Sequence, residues 1–152
     1  MDQFSTEFNS EEAFEIAPHQ IPIDDRLRAA LLLLKRDEEF WSSLAPIALT
    51  HQATLPKMLI APMASGSAVL ADARVSERIK NTQHRNVTGL DMEVYGVYAA
   101  VQSCDSNAIF VALKAVCDNG DRQKDDKYQT YAAEVSAKAT VRFIQTHASR
   151  LF

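Results

Sequence analysis

Apolar positions recur along the chain with two different periods, and the switches between them divide it into elements. Leu27, Leu31 and Leu34 return every three to four residues behind Asp24 and Asp25, two acids placed as a cap and a first turn. That spacing predicts a helix running on toward Phe40 and Trp41. Pro18 and Pro22 bracket an extended segment ahead of it, while Pro46 and Pro56 punctuate residues 42–56 as a connecting region with a short strand expected at 47–49. Residues 58–64 read as a buried strand, followed by the turn Ser65-Gly66-Ser67 and a helix over about 70–79. A further strand at 86–90 leads into a helix that carries Val94, Val97, Tyr98 and Val101 on one face. Glycine costs about 1 kcal/mol in a helix interior relative to alanine, so Gly96 predicts a place where that helix lies very close to a neighbour.

The clearest strand is 108–117. Ile109, Val111, Leu113 and Ala115 alternate with Phe110, Ala112, Lys114, Val116 and Asp118, and in an extended chain the two sets face opposite ways. Lysine is out of place in so apolar a run. A buried ammonium needs a partner, and Asp91 or Glu93 on the neighbouring strand is the expected one; a lysine at a sheet edge with its head in water is the alternative. Residues 121–127 read as a solvated loop, and a last helix over about 127–147 turns Tyr131, Val135, Ala139 and Phe143 inward. Strands alternating with helices predict an α/β fold with a central mixed, mostly parallel sheet flanked by helices.

Composition narrows the class. A chain of 152 residues with 47% hydrophobic content is one ordinary soluble domain, spanning 1–152, with an acidic and loosely ordered lead-in at 1–20 that holds no lysine or arginine. A net charge of -4 with scattered basic residues argues against nucleic-acid binding. Cys104 and Cys117 have neither CxxC nor Cys/His spacing, and the four histidines are dispersed, so neither a disulfide framework nor a metal site is expected, and no cofactor. The longest apolar run, 29–34, is too short to cross a bilayer, and no basic-then-apolar signal opens the chain. A cytoplasmic protein without a membrane partner is the expectation.

Candidate chemistry gathers at strand ends. Asp91 and Glu93 lie two residues apart where one strand passes into a helix, and Asp118 ends the next. Open α/β sheets bind ligands at the carboxyl ends of their strands. Taken alone, Asp91 also fits a residue that caps the free N–H groups of the helix. The turn Ser65-Gly66-Ser67 could present N–H groups to an anion or a flat ligand, or Gly66 could serve only as a turn and Ser67 only as a cap. If the two strands are adjacent and parallel, their carboxylates share one edge. Such a pair suits a sugar bearing a leaving group: one carboxylate holds hydroxyls and steadies a cationic sugar, and the other donates a proton to the departing atom.

These residues carry a resemblance. Leu90-Asp91-Met92-Glu93 followed by Val111-Ala112-Leu113-Lys114-Ala115-Val116-Cys117-Asp118 resembles the nucleoside phosphorylase and nucleosidase superfamily, of the methylthioadenosine/S-adenosylhomocysteine nucleosidase type. There a Met-Glu pair ends one strand and Arg/Lys-x-x-Ser/Cys-Asp ends the next. Ser65-Gly66-Ser67-Ala68 is similar to the family's Ser-Gly-Asp-Ala turn, and Tyr131-Ala132-Ala133 with Ala137 is similar to its closing helix, above all in versions fused to regulatory or signalling modules. Agreement is weak from Pro22 and clear from Met58 onward.

The resemblance implies that Glu93 holds the ribose 2′ and 3′ hydroxyls, that Met92 packs beneath the sugar, and that Asp118 protonates purine N7 and recognises an exocyclic amine. Asp91, Ser65, Gly66 and Val69 would complete the substrate-binding set. An acid tuned toward neutrality contributes roughly 10²-fold to 10⁴-fold to departure of a poor leaving group. Val69 and Ser67 depart from the pattern, standing where the family has an aromatic residue and an aspartate. The family's first half, with its first strand, Gly-rich phosphate loop and water-activating acid, finds no counterpart, since Gly66, Gly89, Gly96 and Gly120 all belong to later elements. The expectation is therefore an incomplete nucleoside phosphorylase-like domain, either the carboxyl-terminal portion of a longer protein or a shortened relative.

Three functions compete: an N-ribosyl hydrolase or phosphorylase acting on a purine nucleoside, with phosphate or water as the nucleophile; a non-catalytic nucleoside-binding module; and a structural piece. The resemblance also implies a homodimer.

Overall fold

A computed structural model of the chain describes residues 20–66, 86–104, 108–118 and 126–151. Helix α1 spans Asp25–Lys35, opened by Asp24, whose carboxylate accepts the N–H groups of Arg26 at 2.8 Å and Leu27 at 3.2 Å. Leu27, Ala30, Leu31 and Leu34 form its buried stripe, as a 3.6-residue period requires.

The expected continuation to Trp41 is instead a second helix, α2, over Glu38–Ser43. Asp37 causes the break. One of its oxygens accepts the Phe40 N–H at 3.0 Å, and the other accepts Arg142 Nε at 2.8 Å from the far end of the chain. An aspartate gains more as a helix cap than in a helix interior. The Trp41 indole N–H closes the corner on the Leu34 carbonyl at 2.9 Å.

Residues 47–49, expected as a strand, belong to helix α3, Ala45–Thr50. Pro46 sits in its first turn, where the missing N–H costs nothing, so the residue that reads as a breaker here starts a helix. The helix ends on Gln52 at φ 52°, with the Ala53 N–H bonded to the Ala48 carbonyl at 2.8 Å and the Gln52 N–H to Leu49 at 3.1 Å. This is a Schellman closure with glutamine where glycine is usual.

The sheet is small and parallel. Strand β1, Met63–Ser65, pairs with β2, Gly89–Asp91, in the register Met63 to Gly89, Ala64 to Leu90 and Ser65 to Asp91. Backbone bonds from Thr88 to Pro62 at 3.1 Å and from Gly66 to Asp91 at 3.0 Å extend the pairing at both ends. Of the strand expected at 58–64, only the last residues and Ser65 join this ladder. Met58 and Ile60 pack against the helical core instead. Helix α4, Val94–Ser103, follows β2 directly, as a β-to-α crossover requires.

Residues 108–118 keep the expected two-sided alternation but join no ladder among the described residues. Ile109, Val111 and Leu113 pack on the core formed by α1, Phe143 and Leu151. On the other side, Phe110 meets the Tyr98 ring of α4 edge-on at 4.4 Å, and Lys114 reaches the end of β2. The Ala115 N–H, which a strand would give to its neighbour, goes to Ser136 Oγ of the last helix at 2.8 Å.

That helix, α5, runs Gln129–Thr146 behind a 3-10 turn at Asp126–Tyr128. It buries Ala132, Val135, Ala139 and Phe143. The described residues are thus a mixture of helices and a small parallel sheet, compatible with an α/β architecture. No helix among them is long and apolar enough to cross a membrane.

Candidate functional site

The carboxyl ends of β1 and β2 meet the start of α4, and Asp91 ties the three together. Its side chain is inaccessible to solvent. Burying a carboxylate is costly unless both oxygens find donors, and here they do. One oxygen accepts the Glu93 N–H at 2.8 Å, the Val94 N–H, and the Ser65 hydroxyl at 3.4 Å. The other is ion-paired to the Lys114 ammonium. Ser65 Oγ in turn accepts the Tyr95 N–H at 3.1 Å, so the end of β1 is tied to the first turn of α4. The donors at the positive end of the helix dipole are satisfied by a negative charge, as the macrodipole favours. Asp91 is therefore the cap of the β2–α4 junction, the structural role open to it from sequence.

Glu93 sits one alternation further on and points outward. Its side chain is 67% accessible, and its Oε2 lies 3.4 Å from Lys114 Nζ. The expected pairing of Lys114 is realised with both carboxylates at once. Met92 is exposed beside Glu93, so both residues of the Met-Glu pair face solvent at the strand end. Ser65 and Gly66 join the same corner through the hydroxyl bond to Asp91 and the Gly66 N–H to the Asp91 carbonyl.

The geometry assigns no special demand to two glycines. A Cβ at Gly66 or at Gly96 would meet nothing within 4 Å among the described residues. Among the described residues, none makes the close helix contact expected at Gly96. Val69 lies outside the described residues, as do the helix expected at 70–79, the lead-in up to residue 19 and the 121–125 part of the loop.

Asp118 stands at the end of the 108–118 segment, half-buried, with the Cys117 thiol directed at its Oδ2 at 3.5 Å. It lies on the alternation set of Lys114, the residue that reaches Glu93. Among the described residues no three His, Cys, Asp or Glu side chains cluster as metal ligands.

Elsewhere, a cavity of about 580 Å³ opens between the start of α1, the end of α4 and residues 108–110. Ile21, Arg26, Tyr98, Gln102 and Phe110 are among its walls, and none of the described site residues expected from sequence lines it. Burial there pushes the Tyr98 phenol above its ordinary range.

Comparison with known proteins finds partial relatives. The chain is 29% identical over 138 residues, 90% of its length, to the uncharacterized protein y4jS of Sinorhizobium fredii. It is 31% identical over 85 residues, 56% of its length, to the ATP nucleosidase Cap17 of Escherichia coli. The chain spans 33% of the first relative and 16% of the second. No family model matches it, and no solved structure matches it. The relationship these findings carry is a partial, nucleosidase-like one.

Proposed function

We propose that this chain supplies the ribose- and base-facing side of a site that cleaves the N-glycosidic bond of a purine nucleoside. The observation that carries the reading is Glu93: an exposed carboxylate at the end of a parallel strand, tethered by Lys114 and flanked by exposed Met92. A carboxylate with one oxygen held and the other open is suited to accept hydrogen bonds from a ribose diol. The partial similarity to a protein named as a nucleosidase supports the same direction.

In this reading Glu93 binds the 2′ and 3′ hydroxyls and Met92 packs under the sugar. Ser65 and Gly66 line the approach of the ligand. Asp91, fully committed to the α4 start and to Lys114, acts by holding the corner. Asp118 gives its proton to purine N7 as the C1′–N9 bond breaks and the bonding electron pair leaves with the base. The electron-poor sugar is steadied by the nearby negative charge of Glu93. Water adds its oxygen to C1′ and releases a proton that restores Asp118; phosphate in place of water would yield a sugar phosphate. With about 3.3 Å per residue of extended chain, Asp118 stands roughly 13 Å from Lys114 along the segment, a span comparable with a purine riboside.

The name of the Escherichia coli relative adds a nucleoside triphosphate to the substrates, since ATP and adenosine carry the same bond to be broken. The test follows release of free adenine and reducing sugar from adenosine, methylthioadenosine and ATP, with and without phosphate. Glu93→Ala is expected to abolish binding, and Asp118→Asn to keep most of the binding while losing turnover. Failure of all three to bind, or full turnover by Asp118→Asn, would overturn the proposal. A nucleoside-sensing module without turnover is the second reading, since it needs only the exposed carboxylate of Glu93 beside Met92. Binding with no product in the same assay would establish it.

A further inference from the structure

We infer that the cavity between the start of α1, the end of α4 and residues 108–110 is a second small-molecule site, built for an uncharged planar aromatic ring whose edge carries one hydrogen-bond donor and one acceptor. Nothing in it depends on the nucleoside reading of the Glu93 corner. The two places lie toward opposite ends of the same elements. Val94 opens α4 beside Asp91, whereas Gln102, at the cavity, stands about 12 Å further along the helix axis. Phe110 and Asp118 are separated by roughly 26 Å of extended chain.

At about 580 Å³ the cavity falls within the range of about 300–1,000 Å³ usual for small-molecule sites. Its floor is fixed by the fold, because Leu151 is buried in the core around Phe143 and Ile109 packs against that core. One wall is the Tyr98 ring with Phe110 edge-on to it at 4.4 Å. Aromatic rings favour edge-to-face and offset contacts, so a guest ring is the apolar body this wall accepts best. Tyr98 and Gln102 stand four residues apart on one face of α4, and both line the cavity. The Tyr98 hydroxyl has no hydrogen-bond partner among the described residues, and burial keeps it protonated at neutral pH, so it is a donor awaiting an acceptor. The Gln102 amide carbonyl supplies an acceptor beside it.

The charged groups at the mouth decide the charge of the guest. Arg26 Nε lies 3.4 Å from Asp24 Oδ1, and the same carboxylate caps the start of α1. Each charge already has its counterpart, and both stay hydrated at the surface. A carboxylate or ammonium on the guest would lose water here without gaining an unmatched partner, whereas a neutral ring loses little.

The experiment is an amide-resolved NMR titration of the full chain with benzimidazole at mildly alkaline pH, where this probe is a neutral bicycle with an N–H and a ring nitrogen on one edge. Benzoate serves as the charged comparison, and indole as a bicycle with the N–H but no ring acceptor. Saturable shifts are expected at Tyr98, Val101 and Phe110. Tyr98→Phe removes only the hydroxyl, and Gln102→Leu keeps bulk without the amide. Each should weaken benzimidazole roughly fivefold, the loss of one neutral hydrogen bond. Indole should respond to Gln102→Leu and not to Tyr98→Phe, and benzoate should bind the wild type roughly tenfold more weakly than benzimidazole. The inference is overturned by the absence of saturable shifts at the cavity, by shifts confined to Met92, Glu93 and Asp118, or by benzimidazole affinity unchanged in either variant. Benzoate binding as tightly as benzimidazole overturns it as well. The wild-type titrations with benzimidazole and benzoate decide the question even if a variant fails to fold, and the Glu93 reading stands or falls separately by its own nucleoside assay.

Discussion

Replacing Asp91 tests the junction on which the candidate site is built. The carboxylate is inaccessible, accepts the Glu93 and Val94 N–H groups and the Ser65 hydroxyl, and is ion-paired to Lys114. Alanine removes the cap, worth about 1 kcal/mol, and leaves donors facing a void. Removing one partner of a buried pair costs about 3–5 kcal/mol when the other charge is stranded, but Lys114 is 43% exposed and regains water, so the charged contact is discounted to about 1.5 kcal/mol. The sum is about 2.5 kcal/mol for Asp91→Ala. Asparagine in its place would keep an acceptor for the helix N–H groups and lose only the charge, so Asp91→Asn should cost about 1–1.5 kcal/mol. Urea unfolding followed by circular dichroism reads both. With a slope of about 1.5 kcal/mol per molar, the midpoint should fall by roughly 1.5 M for alanine and about half that for asparagine. A shift of less than about 0.3 M for alanine would refute the junction's role. Equal shifts for the two variants would refute the division between cap and charge. In a double-mutant cycle, Lys114→Met combined with Asp91→Asn should be less costly than the two single changes added together, because each removes the same ion pair.

Two further predictions concern the helical layer. Arg142 bonded to the Asp37 carboxylate, with the Phe40 N–H as a second donor, holds that carboxyl below its ordinary range. A carboxylate with a depressed pKa in the folded state adds stability that is fully present above its unfolded value of about 3.9 and is lost as pH falls through the folded value. Asp37→Asn should therefore flatten the acid side of the stability-against-pH curve below about pH 4, measured as thermal midpoints, and an unchanged acid limb would count against the pairing. Gln52, at φ 52° where α3 closes, carries a side chain in a conformation that favours glycine, so Gln52→Gly should raise stability by about 0.5–1 kcal/mol, read as the denaturant midpoint; a loss would refute that account.

Much of the local structure was legible because it depends on near neighbours. The stripe of Leu27, Leu31 and Leu34 needs only its own period to mark a buried helix face, and the helix of Val135, Ala139 and Phe143 likewise. The two-sided alternation of 109–118 and the need of Lys114 for a carboxylate partner followed from residue chemistry alone, and the structure pairs Lys114 with both candidates. Other features depend on partners distant in the chain. The break between α1 and α2 comes from Asp37, whose carboxylate is shared with Arg142, more than a hundred positions away. Pro46 starts a helix rather than ending one, which no breaker rule distinguishes. Gly96 reads as a close-packing signal, yet no described neighbour approaches it.

The amino-acid order by itself determined the helical faces, the acidic strand ends, and the demand that a lysine in an apolar run find a negative partner. Only the tertiary structure decided how Asp91 and Glu93, two residues apart and chemically alike, divide their roles. Asp91 is drawn inward by the N–H groups of α4 and by Ser65 from another strand, while Glu93, beyond the first of those donors, is left at the surface with the far side of the same lysine. The reason is that a buried carboxylate exists only where enough donors converge, and that convergence is a property of folded space rather than of spacing along the chain.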